Sequence, residues 1–177
     1  MAKGRSYWVL TAVGPDRPGL VQQISTAIHD VGANLEDSRM AILGGEFALI
    51  LLFSGPDGAA EQLRARTDRF ERDLGLTVSL KETRPEAAPK SYLLFHLRVT
   101  GVDRPGIVAS VSKTLAGRGV NVASLESRVQ YAPLSGTPMF VLNADLQVPS
   151  EVALSALRRD IAATCDEENL DLVFESR

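Results

Sequence analysis

Little in this chain of 177 residues could close a disulfide or hold a metal. Cys165 is its single cysteine, and His29 and His96 are its two histidines. An intrachain disulfide framework is therefore excluded, and a Cys/His zinc site within one chain is not expected. A surplus of positive charge is missing as well. With 19 Lys and Arg against 22 Asp and Glu, the formal net charge is −3. That leaves no basic field for phosphates, so neither direct nucleic-acid binding nor attachment to an anionic membrane is expected. Long apolar runs are also absent: the longest, FALILLFSG from Phe47 to Gly55, is about half of the roughly 20 residues a spanning helix needs and reads as a buried strand. The leading MAKGRSYWVL reaches no stretch of signal-peptide length before Pro15, Asp16 and Arg17 interrupt it, so the cytoplasm is the expected compartment. No phosphate loop, no Gly-x-Ser-x-Gly elbow and no metal-ligand spacing occurs. No catalysis and no cofactor are expected.

What the chain does contain is a repeat. GPDRPGLVQQIS, from Gly14 to Ser25, returns as GVDRPGIVASVS from Gly101 to Ser112, at an offset of 87. Between Gly14–Asn34 and Gly101–Asn121, 9 of 21 positions are identical. Beyond Asn121 the second copy carries two more residues before the shared Ser-Arg, as Ser38 and Ser127 differ by 89. The chain thus reads as two homologous halves, a first domain over 1–83, a linker over 84–90 in the Pro/Ala-rich TRPEAAPK, and a second domain over 91–177.

Hydrophobic period switches in the same order in both halves. YWVLTAV reads as a strand; after Pro18-Gly19, the residues Leu20, Ile24, Ala27, Ile28 and Val31 recur at helical spacing, and Gly32 stops the helix. NLEDSRMAIL and EFALILLF, on either side of Gly44-Gly45, read as a hairpin. Leu63, Thr67, Phe70 and Leu74 form the stripe of a second helix ending at Gly75, and LTVSLKE is the last strand. The second half repeats this, with Ile107, Val111 and Leu115 on its first helix and a second helix capped near Ser150. The expected class is α+β: two ferredoxin-like βαββαβ domains, each an antiparallel sheet with its helices on one face.

The open faces of the two sheets are expected to differ. In FALILLF both alternating sets are apolar, so helices covering Phe47, Leu49, Leu51 and Phe53 would leave Ala48, Ile50 and Leu52 for another surface to cover. In the second half, His96, Arg98, Asn143 and Asp145 are expected on the open face, with Leu93, Phe95, Leu97 and Val99 toward the helices.

The turn admits two readings. Pro18 suits a first helical turn because its missing N–H needs no partner there, and Gly19 carries no side chain over the opening turn. The N–H groups of Gly19 and Leu20, at the positive end of the helix dipole, could hold a carboxylate. Asn34, after the helix, has an amide that both donates and accepts and could take an ammonium or a carboxylate, so that the two together suggest an α-amino acid. The alternative is that Asp-Arg-Pro-Gly is only a well-capped turn, duplicated as scaffold.

The Asp-Arg-Pro-Gly turn, its helix and the following Gly-x-Asn resemble the ACT domain, in both halves and over essentially the whole chain. GANLEDSRMAILGGEFALILLFSG, from Gly32 to Gly55, further resembles tandem-ACT regulators of glycine cleavage transcription. The resemblance implies an amino-acid site at the first strand-to-helix loop and the start of the second strand. It carries over to Asp16, Arg17, Pro18, Gly19, Leu20 and Asn34, and to Asp103, Arg104, Pro105, Gly106, Ile107 and Asn121. It implies a small amino acid, glycine or similar, as ligand, and a protein partner such as a transcription activator. A homodimer is expected. The second expectation is a regulatory subunit that acts in trans on a metabolic enzyme.

Overall fold

The structure, a computed structural model, describes residues 5–84 and 91–177. Within them lie two compact units. The first runs β1 (Ser6–Pro15), α1 (Leu20–Asp30), β2 (Asn34–Leu43), β3 (Glu46–Gly55), α2 (Ala59–Leu74) and β4 (Thr77–Thr83). The second runs β5 (Tyr92–Val102), α3 (Ile107–Gly117), β6 (Asn121–Tyr131), β7 (Pro138–Pro149), α4 (Leu154–Glu167) and β8 (Leu170–Ser176). Each is a four-stranded antiparallel sheet, in the orders β2-β3-β1-β4 and β6-β7-β5-β8, with its two helices over one face. This is the ferredoxin-like class expected from the sequence. The expected linker lies, apart from Arg84, outside the described residues.

Period decides each element. In α1 the buried residues are Leu20, Ile24, Ala27 and Ile28, one apolar stripe of a 3.6-residue helix. In β3, Phe47, Leu49, Leu51 and Phe53 are buried toward the helices while Ile50 stays 50% exposed. Gly44 and Gly45 close the hairpin with φ of +61° and +86°, conformations that a two-residue turn between right-twisted strands requires. Val13, which pairs with Ala48, is 49% exposed on the same helix-free face as Ile50, so the first sheet presents apolar side chains there. On the second sheet His96 pairs with Asp145 and Arg98 with Asn143, and that face is polar.

Two local expectations are corrected. The last helix does not begin at Ser150: β7 continues to Pro149, residues Ser150–Ala153 turn the chain, and α4 starts at Leu154 with no side-chain cap. Leu93 does not pack under the helices and is 45% exposed. The partner strand β8 ends at Ser176 opposite Phe95, which leaves Leu93 beyond the last rung.

Candidate ligand site at the repeated turn

Gly14, Asp16, Arg17 and Gly19 of the repeated turn each have a structural task. Gly14 lies so close to the end of α2 that a Cβ there would fall 2.4 Å from the Gly75 carbonyl oxygen. The Asp16 N–H donates to Gly45 O at 2.9 Å, fastening the turn to the hairpin. Arg17 reaches across the sheet end, where its Nη2 donates to Asp73 O at 2.5 Å near the C-terminus of α2. A guanidinium suits that place, since the last carbonyls of a helix lack partners and carry the negative end of its dipole. Gly19, at φ +95°, is the residue before α1, a conformation that β-carbons disfavour.

The second copy repeats these ties. The Asp103 N–H donates to Pro138 O at 2.9 Å, and Gly106 has φ +101°. Arg104 donates to Glu168 O at 2.5 Å and also pairs with the Glu168 carboxylate, which accepts from Ser110 Oγ at 2.8 Å. Glu168 is half-buried, unlike the exposed Asp166 and Glu167 before it. The acidic residue just past a helix, facing an arginine of the repeat, was the signal for Glu168.

Those tasks leave the first-turn N–H groups of α1, with no side chain capping them. They open on a cavity of about 420 Å³ lined by Asp16, Arg17, Gly19, Val21, Met40 and Phe47. The wall is mainly apolar, from Leu20, Val21, Met40 and Phe47, and the backbone donors are at its α1 end.

Asn34 is elsewhere. Pro15 and Leu43 both pair with Glu46, which places the turn at that end of the sheet, whereas Asn34 pairs with Ser54 at the opposite end. The 11 residues of α1 separate them, about 16 Å at 1.5 Å per residue. An α-amino acid, whose carboxylate and ammonium are borne by one carbon, does not reach from Gly19 to Asn34 within one unit. Nor is the Asn34 amide idle: its Nδ2 donates to Glu36 Oε1 at 3.2 Å, and the buried Ser54 donates its Oγ to the same oxygen at 2.6 Å. The Ser54 hydroxyl first, then the Asn34 amide, hold the Glu36 carboxyl below its usual range. In the second unit the Asn121 Nδ2 donates to Gln147 Oε1 at 2.7 Å, and the acid is not repeated.

A second polar cluster lies on the open face of the second sheet. Asp145 accepts from Ser124 Oγ at 3.0 Å and from Arg177 Nη1 at 2.8 Å, with His96 Nδ1 at 3.2 Å. The His96 bond first, then Ser124, with the charge of Arg177 adding to them, keep the Asp145 carboxyl below its ordinary value. Ser124 donates to the carboxylate rather than to the imidazole, so the three do not form a nucleophile and its base.

Residues 6–81 match a family model described as an ACT domain, and residues 95–162 match another with that description. Over 163 residues the chain is 29% identical to the glycine cleavage system transcriptional repressor of Escherichia coli, covering 92% of this chain and 86% of that protein. A crystal structure of an unknown protein from Galdieria sulphuraria superposes with a TM-score of 0.81 at 28% identity, over 98% of this chain and 99% of that one. A second crystal structure, provisionally assigned as a glycine cleavage system transcriptional repressor, superposes at 0.75 with 24% identity over 98% of each chain, a likeness of fold.

Proposed function

This chain belongs to the ACT domain family, with two such domains in tandem, and we propose that it is a non-catalytic amino-acid sensor that regulates genes of glycine cleavage or related amino-acid metabolism. Its domains are taken as 1–83 and 91–177. It acts in the cytoplasm, as a homodimer, through a protein partner such as a transcription activator, and its ligand is a small amino acid, glycine or similar. The likeness to a transcriptional repressor over 92% of the chain supports the regulatory part.

The observation that carries the ligand is the uncapped start of α1 opening on the cavity beside Met40 and Phe47. Backbone N–H groups at a helix start hold a carboxylate, and Gly14, the Asp16 N–H and Arg17 are engaged in holding the turn. A calorimetric screen of the common amino acids against the pure chain tests this, with heat expected from at least one small amino acid and loss of that heat in Gly19→Val. A β-branched side chain at φ +95° both strains the backbone and fills the opening. Asn34 is a helix length from the start of α1 within one unit and would reach the ligand only from the second copy of the homodimer; Asn34→Ala should then weaken binding about 10- to 150-fold, the equivalent of a charge-assisted hydrogen bond of roughly 1.5–3 kcal/mol. The equivalent changes Gly106→Val and Asn121→Ala report whether the second copy binds too. Heat from none of the amino acids rejects the sensor.

A further inference from the structure

The two sheets differ most on the faces that carry no helix. Both halves build this face on the same rungs, at the offset of 87, so it can be compared position by position. In the first unit β1 joins β3 and β4 in the rungs Leu52–Val9–Lys81, Ile50–Thr11–Ser79 and Ala48–Val13–Thr77. In the second, β5 joins β7 and β8 in Asp145–His96–Glu175, Asn143–Arg98–Val173 and Val141–Thr100–Asp171. Polar groups that satisfy one another in the second unit, as Asp145 does with His96 and Arg177, stand where the first has Leu52 and Val9. The charge on the outer strand is opposite too, Glu175 in one and Lys81 in the other. Ile50 and Val13 are half exposed. A groove of about 340 Å³ crosses this face, holding Val9, Ile50 and Leu52, with Arg39 on the outer strand β2 and Arg84 just past the outer strand β4. A contiguous apolar strip rimmed by polar residues marks a surface that something covers.

Resting on the reading of a protein partner above, we propose that the helix-free face of the first sheet is where that partner docks. What it receives is an amphipathic helix, apolar over Val9, Ile50 and Leu52 and acidic over Lys81 and Arg84. The second unit, whose equivalent face is polar, takes no part in this contact.

Shape and charge fit this occupant. The aliphatic strip lies on the two central strands, about 10 Å across, and its four steps from Val9 to Val13 span about 14 Å. One α-helix is about 10 Å wide and covers 14 Å in about nine residues. A sheet laid on this one would need apolar residues across all four strands, whereas the outer strands bear Asp37 and Arg39 on one side and Thr77, Ser79 and Lys81 on the other. Charge sets which flank of the helix is acidic. On the β2 side Arg39 is paired with Asp37 at 2.5 Å. On the β4 side neither Lys81 nor Arg84 forms an ion pair among the described residues. Carboxylates on the flank above β4 therefore find two cations to meet, as a helix in a groove does when its apolar anchors and its rim charges match together.

Two helical peptides of about five turns, with one leucine stripe in common and a flank of glutamate in one and lysine in the other, test this. Each is labelled and titrated with the full chain by fluorescence anisotropy, with circular dichroism to confirm folding of each variant. The glutamate peptide should bind, and the lysine peptide roughly tenfold more weakly. Ile50→Asn, which installs the residue of the second unit's rung, should weaken the glutamate peptide about tenfold or more. Lys81→Glu should weaken it by up to about fivefold and strengthen the lysine peptide. Val173→Asn, on the second unit's face, should change neither. Failure of the glutamate peptide to bind, equal binding of the two peptides, or binding indifferent to Ile50→Asn and Lys81→Glu overturns the helix assignment. A dimer in light scattering that Ile50→Asn dissociates gives the face to a second copy, and co-sedimentation with phosphatidylglycerol vesicles that Ile50→Asn abolishes gives it to a membrane; either overturns the assignment as well. All of these leave the amino-acid sensor standing, because calorimetry reads the cavity at α1 and not this face. Absence of heat from every amino acid removes the sensor, while the peptides still decide the docking face.

Discussion

Replacing Gly14 with alanine separates what the repeated turn does for the fold from what it does for a ligand. Its Cβ would lie 2.4 Å from Gly75 O and 3.1 Å from Leu76 Cδ2, and Leu76 is fully buried. The carbonyl belongs to the cap of α2, whose Gly75 N–H donates to Glu71 O, so it cannot turn aside without unwinding the helix end. The cost should reach about 3 kcal/mol, the upper range for overpacking a filled site. In the second unit the added Cβ on Gly101 meets the Leu170 Cδ2 methyl at 2.5 Å, with the nearest backbone atom, Asn169 O, at 3.2 Å. A leucine methyl can change rotamer, so Gly101→Ala should cost only about 1 kcal/mol. In a domain of this size each kcal/mol moves the melting temperature by about 4–8 °C, giving about 12–24 °C for Gly14→Ala and about 4–8 °C for Gly101→Ala. Thermal melts of the full chain followed by circular dichroism read both. Equal losses in the two variants, or a Gly14→Ala chain within about 0.5 kcal/mol of the parent, would refute the account of the turn as a tie between β1 and α2.

Other consequences are smaller. Arg17→Ala should cost below about 1 kcal/mol in urea unfolding, since its one bond to Asp73 O is exposed. Arg104→Ala, which also releases the Glu168 carboxylate, should cost more than Arg17→Ala. Cys165, 1% exposed in the core, should react with a disulfide reagent only as the second unit unfolds, because burial raises its thiol pKa, and Cys165→Ser should cost about 1–3 kcal/mol by burying an unpaired hydroxyl. Glu36 binds its proton less readily in the folded chain than in the unfolded one, so its contribution is present above the unfolded carboxylate value of about 4 and is lost as pH falls through the folded value. Ser54→Ala removes the main cause; the Glu36 midpoint in a carboxyl NMR titration should then rise, and the loss of stability in acid should become shallower.

The elements were legible because each obeys one period from end to end. The stripe Leu20, Ile24, Ala27 and Ile28 is buried as read, and the alternation Phe47, Leu49, Leu51 and Phe53 faces the helices as read. Gly44-Gly45 and Gly75 mark turn and cap because positive φ admits few other residues. Ser150 misled for a physical reason: a serine before a helical pattern is a capping signal, but β7 runs to Pro149 and the chain needs four more residues to reverse. Leu93 misled because alternation tells the face of a residue and not whether the neighbouring strand extends far enough to cover it.

The site was legible in parts and not as a whole, because a motif names residues while register decides which of them meet. Arg17 and Arg104 lie in the repeated string, yet their guanidinium groups go to carbonyls 56 and 64 residues away, a contact no local period announces. Asn34 is different, since its distance from Gly19 follows from counting. A strand that enters a turn, a helix of 11 residues that runs back, and a second strand that begins there must place the turn and the asparagine at opposite ends of the sheet. One small ligand can then use both only if the turn of a second copy is brought to the asparagine. On that reading Asn34→Ala should weaken amino-acid binding in the homodimer while leaving the turn and the cavity untouched. Unaltered affinity in Asn34→Ala would show that each turn binds alone and that Asn34 serves only to hold Glu36.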